Sequence, residues 1–253
     1  MKPDEPGRAV RHAALDALRG LALVWMTLYH FAFDLNHFGY WHQDFYRDPL
    51  WTVQRTLILS LFLLCAGMGQ AVAGAHGVTW RRFGRRWAQI ALCALLVTAG
   101  SLVMFPRSFI YFGVLHGMAL MWLIARATLG LRRWLWLAGA LALAAPWLAS
   151  WLLSGPWAFM ADALNGRWLN WLGLITHKPV TEDYVPLLPW LGVFWWGVAG
   201  GQWLLAHRPG WLARPLAGGG RGLALLGRHS LAYYMLHQPV MIGALMLAGL
   251  LLK

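Results

Sequence analysis

The chain has 253 residues, of which 59% are hydrophobic and 12% charged, and its formal net charge is +12. Soluble domains carry about 25% charged residues, so long apolar runs with so few charges exclude an ordinary soluble enzyme and indicate a polytopic helical membrane protein. The runs are continuous rather than alternating, which argues against a transmembrane β-barrel. Cys65 and Cys93 both lie in apolar runs, which excludes a disulfide framework or a Cys-x-x-Cys zinc site.

In chain order the apolar runs predict an all-α transmembrane bundle of about seven spans, at roughly 14–34, 53–74, 87–105, 109–125, 134–153, 186–206 and 230–252. The first run is long and lacks a small-residue cleavage site, so it reads as a retained helix. Arg8 and Arg11 precede it, and Arg81, Arg82, Arg85 and Arg86 separate spans 2 and 3. Arg126, Arg132 and Arg133 follow span 4, and Arg208, Arg214, Arg221 and Arg228 separate spans 6 and 7. The alternate loops hold Asp44, Asp48, Asp162, Glu182 and Asp183 instead. This pattern places the N-terminus in the cytoplasm and the C-terminus outside. The positive charge is thus mainly a topology signal and not a nucleic-acid surface, with a secondary capacity to attract anionic lipid or a phosphorylated donor.

The connections are read in the same way. Phe105-Pro106-Arg107-Ser108 is a tight outer turn. Arg208–Arg221, with Pro209, Pro215 and Gly218-Gly219-Gly220, reads as a flexible connector. No strand precedes that glycine run and no Gly-Lys-Ser/Thr follows it, so it is not a phosphate loop. The outer segments Asn36–Thr52 and Ser154–Val185 carry Trp41, Trp51, Trp157, Trp168 and Trp171, which suit a membrane interface, or in part a saccharide vestibule. A single membrane domain over 1–253 is expected, without an internal repeat.

Four places concentrate polar groups where a bilayer discourages them. In span 1, at 100° per residue, Asp16, Arg19, Thr27, His30 and Asp34 fall in a stripe about 80° wide, with Arg19 and His30 about 16 Å apart along the axis. Ionisable residues in such a position usually face a bundle interior or an aqueous path and mark function. His30 and Asp34, at i and i+4, are adjacent, so the carboxylate can orient the imidazole as a base or nucleophile. The second place is His116 between Gly113 and Gly117 in span 4; the third is Asp183 ahead of Pro186 and Pro189 at the outer mouth of span 6. The fourth is Arg228-His229-Ser230 leading to Tyr233, Tyr234 and His237 in span 7. The topology puts His30, Asp34, His116 and Asp183 in the outer half, and Arg19, Arg228, His229 and His237 in the inner half. Plainer readings stand beside these: Asp16 pairing only with Arg19, Arg228 and His229 snorkelling to headgroups, His237 as a hydrogen-bonded bundle histidine, and His37 and His42 as loop residues.

Five segments together resemble the bacterial relatives of the heparan-α-glucosaminide N-acetyltransferase catalytic domain. They are Arg11 and Leu-Asp-Ala-Leu-Arg-Gly through His30 and Asp34; Leu61-Phe62-Leu63-Leu64-Cys65-Ala66-Gly67; Tyr111-Phe112-Gly113-Val114-Leu115-His116-Gly117; Asp183-Tyr184-Val185-Pro186-Leu187-Leu188-Pro189-Trp190; and Leu226-Gly227-Arg228-His229-Ser230-Leu231 to His237. The spacing of Arg19 and His30 is also similar to that of the acyltransferase-3 membrane enzymes. The resemblance implies an enzyme of the bacterial inner membrane that moves an acetyl or other acyl group from cytoplasmic acetyl-CoA (acyl-CoA) to an envelope sugar or aminosugar on the far side. It would then use His30, Asp34, His116 and Asp183 for catalysis and acceptor binding, and Arg19, Arg228, His229 and His237 for the donor. In the heparan enzyme an asparagine stands in the place of His30 and the important histidine lies in the outer loop, so His42 or His37 is an alternative centre.

Expected partners are therefore acyl-CoA, an envelope saccharide and the lipid bilayer, with no nucleic acid and no metal; homo-oligomerisation is left open. Two other classes compete. One is a transporter or flippase for a sugar or lipid intermediate that uses the polar stripe as a path, although no inverted repeat supports it. The other is a haem oxidoreductase with His30, His116 and His237 as axial ligands.

Overall fold

The computed structural model describes residues 12–212 and 214–251; Arg8 and Arg11, counted above in the basic face, lie outside the described residues. Ten α-helices are present among them: α1 (Ala13–His37), α2 (Pro49–Ala75), α3 (Trp80–Met104), α4 (Val114–Thr128), α5 (Trp134–Leu153), α6 (Ala161–Asn165), α7 (Leu187–His207), α8 (Pro209–Leu212), α9 (Gly219–Arg228) and α10 (Ser230–Leu251). No strand forms among the described residues, and the β-type pairing is a parallel bridge between Phe112 and Tyr184. The protein is all-helical, as the continuous apolar runs require. Among the described residues, five helices are long and apolar enough to cross a membrane: α2, α3, α4 with its extension to Leu131, α5 and α10. Helices α1 and α7 are of similar length, 25 and 21 residues, but α1 carries Asp16, Arg19 and Asp34, and α7 has non-helical backbone at Leu188.

The chain falls into two compact units, Met1–Leu61 with Trp203–Lys253, and Phe62–Gln202. In the first unit α1 is the axis, and its buried face is Leu15, Gly20, Ala22, Leu23, Met26, Tyr29 and Asp34. Gly20 lies against the backbone of Leu223, and Gly227 against that of Asp16, where a Cβ at either glycine would collide with main chain. The order of these contacts makes α9 antiparallel to α1. After a turn at His229, α10 runs parallel to α1, with Tyr233, His237 and Gln238 meeting Thr27, His30 and Asp34 in the same order. Small residues thus let α9 approach closely, as membrane helices use them. Beyond α1, Phe45 and Trp51 stack at 4.2 Å and pack edge-on to Tyr29. Trp51 is 7% exposed and so belongs to this core and not to an interface, unlike Trp168, which is 90% exposed.

In the second unit α2 and α7 cross at glycines. Gly67 faces the backbone of Phe194 and Val198, and Gly197 faces Leu64. Trp195 Nε1 donates to Thr128 Oγ1 (3.0 Å), and Trp196 Nε1 donates to the Trp136 carbonyl (3.0 Å), which ties α7 to α4 and α5. The segments 108–112 and 181–185 run side by side: Glu182 N donates to Ser108 O and Val185 N to Phe112 O.

Three expected boundaries shift. Helix α3 begins at Trp80, capped by Thr79 Oγ1, so Arg81, Arg82, Arg85 and Arg86 ride on its first turns and not in a loop. Helix α4 begins at Val114 and not near 109, because the residues before it pair with 181–185. The expected flexible connector is helical at both ends: α8 takes up 209–212, and the glycine run 218–220 leads straight into the packed helix α9. Its apolar side, Leu223, Ala224, Leu226 and Gly227, was too short a pattern to outweigh three glycines.

Candidate active site

In the first unit, the α1 stripe meets α10 through three consecutive polar contacts. Thr27 Oγ1 donates to the Leu23 carbonyl (2.8 Å) and lies 2.7 Å from Tyr233 Oη. The single threonine proton is used on the carbonyl, so Tyr233 is the donor to Thr27. His30 Nδ1 lies 2.8 Å from His237 Nε2, and His237 Nδ1 lies 2.7 Å from the Tyr234 carbonyl. The His30 and His237 rings are 14° from parallel with centroids 5.1 Å apart. A 2.8 Å nitrogen–nitrogen distance plus two ring radii accounts for that separation, so the rings meet edge to edge. Tyr233 lies 7° from parallel to His237, at 5.9 Å, and lines one side of it.

One turn further along, Gln238 Nε2 donates to Asp34 Oδ1 at 2.9 Å. Asp34 is 3% exposed. Its second oxygen, Oδ2, and Gln238 Oε1 are both buried without a hydrogen-bond partner. Gln238 also adjoins the His30 ring. Two buried acceptors in one place, both lacking a donor, are costly. They call for an N–H or O–H from elsewhere: an acceptor hydroxyl or amine, a water, or an imidazole that has gained a proton.

The Arg19 end of the stripe is built differently. Arg19 Nη1 donates to Asp16 Oδ1 (3.2 Å), and Arg228 Nε lies 3.8 Å from Asp16 Oδ2. One carboxylate therefore sits between two guanidiniums. Both arginine side chains remain about a third exposed, at 28% and 34%. His229, at the turn between α9 and α10, is exposed.

In the second unit His116 and Asp183 meet at the start of α4. Asp183 Oδ2 accepts from Val114 N (2.8 Å), where a carboxylate satisfies an orphan N–H and the helix dipole. His116 Nδ1 accepts from Gly113 N (3.3 Å), and its Nε2 lies 3.0 Å from Thr98 Oγ1, whose own proton goes to the Ile110 carbonyl (2.7 Å). Nearby, Asn170 is 2% exposed. Its Nδ2 donates to Tyr111 Oη (2.8 Å). Tyr184 Oη donates to the Asn170 carbonyl (2.6 Å). Burial, helped by the neighbouring Tyr111, holds the Tyr184 phenol well above the ordinary tyrosine range, so it stays a donor.

These placements correct several expectations. His237, assigned to the inner donor end, lies beside His30. The reason is geometric: α10 leaves the turn at His229 and runs parallel to α1, so with Tyr233 already level with Thr27, His237 one turn further on meets His30. Asp34 bonds Gln238 and not His30, so the orienting partner of His30 is His237. His116 has both nitrogens engaged by the fold, and Asp183 caps a helix, so neither geometry is that of a free acid or base. Asp16 pairs with Arg19, the plainer reading of the stripe, and also meets Arg228, which the sequence did not indicate. His37 and His42 are exposed, and His42 lines a shallow surface cleft with Asn36, Gln43 and Asp44. The sequence reading missed Gln238, which only the partnering with Asp34 singles out. Among the described residues no cluster of three or more His, Cys, Asp or Glu is placed to hold a metal.

The family model described as "Heparan-alpha-glucosaminide N-acetyltransferase, catalytic" matches residues 11–239, a stretch that runs from the start of α1 to just past His237 and Gln238. No curated protein and no solved structure matches the chain. With nine-tenths of its length inside that match, the chain belongs to the heparan-α-glucosaminide N-acetyltransferase catalytic family of membrane acyltransferases.

Proposed function

We propose that the protein transfers an acyl group from acyl-CoA, of which acetyl-CoA is the simplest case, to a sugar hydroxyl or amine of an envelope glycan, with His30 as the reacting base. The observation that carries this reading is the buried His30–His237 pair beside two acceptors without donors, Asp34 Oδ2 and Gln238 Oε1. An acceptor hydroxyl or amine brought there would supply the missing donor and place its proton within reach of an imidazole. The inner end of the stripe suits the other substrate. Arg19 and Arg228, with one carboxylate between them, would hold CoA phosphates by charge-assisted hydrogen bonds, with exposed His229 beside them. The rise of about 16 Å from Arg19 to His30 is of the length of an extended pantetheine arm.

On this reading His30 takes the proton as the acceptor oxygen or nitrogen attacks the thioester carbonyl. The carbon–sulfur bond breaks, and the same proton passes to the departing thiolate. Bases and arginines at opposite ends of one helix fit a donor on the cytoplasmic face and an acceptor on the far face, in a bacterial inner membrane with the N-terminus inside and with α1 and α7 as spans in addition to the five apolar helices. His116, Asp183, Tyr184 and Asn170 then serve by holding the outer segments in place.

Proteoliposomes test the proposal. With labelled acetyl-CoA on the arginine face and envelope glycans on the other, the expected result is label in the glycan and stoichiometric CoA thiol release. Movement of glycan or lipid across the membrane without thioester consumption would instead support a transporter.

A further inference from the structure

His237 belongs to no role derived so far beyond its contact with His30. Its hydrogen bonds nevertheless determine where the protons lie on both rings. The Tyr234 carbonyl can only accept, so the 2.7 Å contact requires a proton on His237 Nδ1. A neutral His237 then carries its lone pair on Nε2. That lone pair faces His30 Nδ1 at 2.8 Å, so His30 Nδ1 must be the donor. With Nδ1 protonated, a neutral His30 has its lone pair on Nε2. The opposite tautomer of His30 would set two lone pairs against each other in a place of low polarity.

We infer that His237 is a positioning residue that locks His30 in the Nδ1–H tautomer, leaving Nε2 as the nitrogen that accepts the substrate proton. This rests on the reading of His30 as the reacting base. The arrangement also gives the accepted proton somewhere to be shared. When Nε2 of His30 gains a proton from the acceptor, the Nδ1 proton can shift along the 2.8 Å contact to His237 Nε2. His237 is then the cation, still bonded to the Tyr234 carbonyl, and His30 is neutral with its proton on Nε2. Return of the shared proton to His30 Nδ1 restores the imidazolium, which protonates the leaving thiolate through Nε2. Protons balance, and no other group is consumed. Tyr233, held by Thr27, keeps the His237 ring in the plane this transfer requires.

The test is nitrogen NMR of the full-length protein in bicelles, with histidines labelled and His30 assigned from His30→Asn, together with acyl-transfer kinetics. In the wild type at neutral pH we expect a protonated, pyrrole-type Nδ1 and an unprotonated, pyridine-type Nε2 on His30. His237→Leu removes the acceptor, so His30 should move to the Nε2–H tautomer with kcat falling at least tenfold and KM for the glycan little changed. His237→Gln keeps a side-chain oxygen able to accept from Nδ1 and should recover both the tautomer and part of kcat. A wild-type His30 with its proton on Nε2 overturns the inference. So does a His237→Leu variant that folds, switches tautomer and keeps its kcat. The tautomer is read without substrate: if it stands while His30→Asn transfers acyl groups normally, the base role of His30 fails and the hydrogen-bond assignment survives.

Discussion

Replacing Gln238 by leucine probes the most unusual feature of the site, a carboxylate buried in an apolar helix pair with one donor. Asp34 is 3% exposed, and the donor is Gln238 Nε2 at 2.9 Å. Hydrogen bonds to charged groups contribute about 1.5–3 kcal/mol, and stranding a buried acceptor costs the upper end of that range. Leucine has nearly the volume of glutamine, so little cavity energy enters. Gln238→Leu should therefore lower unfolding free energy by about 2–3 kcal/mol. Asp34→Leu on its own strands the Gln238 amide and should cost about 1–3 kcal/mol. The double variant removes both partners and should be more stable than the sum of the single effects by at least about 1 kcal/mol. Denaturant unfolding in detergent, followed by the fluorescence of the 18 tryptophans, measures all three. Strict additivity, or a Gln238→Leu variant as stable as the wild type, would refute the claim that this contact holds the carboxylate.

Other expectations follow from the same geometry. Gly227→Leu drives a side chain into the Asp16 backbone and should destabilise by at least about 1–3 kcal/mol, seen as a lower melting temperature, while substitution at Gly222, where a Cβ meets open space, should not. Arg19→Gln and Arg228→Gln should each raise KM for acyl-CoA by about tenfold or more, the loss of one charge-assisted hydrogen bond, and leave KM for the glycan unchanged. The raised Tyr184 phenol means that the unfolded chain releases this proton first, so stability should fall as pH climbs past the ordinary value of 10.0. Tyr184→Phe should flatten that part of a stability-against-pH curve.

The sequence alone made the chemistry of α1 legible because one helix has a fixed period, and five costly side chains on one face stand out against leucine and tryptophan. It also made the Asp16–Arg19 ion pair legible, since the two are neighbours at i and i+3. What it could not supply was the pairing of α1 with α9 and α10. Without that, topology alone groups His237 with Arg19 and Arg228, whereas α10 carries it level with His30. Gln238 was passed over because a lone glutamine in an apolar run has no signature until its partner is known. The contacts of His116 and Asp183 were equally beyond the sequence. Both are polar residues at conspicuous glycine and proline motifs, and the fold uses them to close helix α4 and anchor the 108–112 and 181–185 segments. The glycines misled for a similar reason, because a Gly-Gly-Gly run can be a linker or the start of a helix that must approach another backbone closely.

The most direct test of the account is the rate of acyl transfer to envelope glycan by purified His30→Ala against wild type, each shown to be folded by an unchanged thermal transition. A base in the transfer step contributes about 10²–10⁴-fold. The account predicts a loss in kcat of that size with donor KM preserved; transfer at the wild-type rate would contradict it.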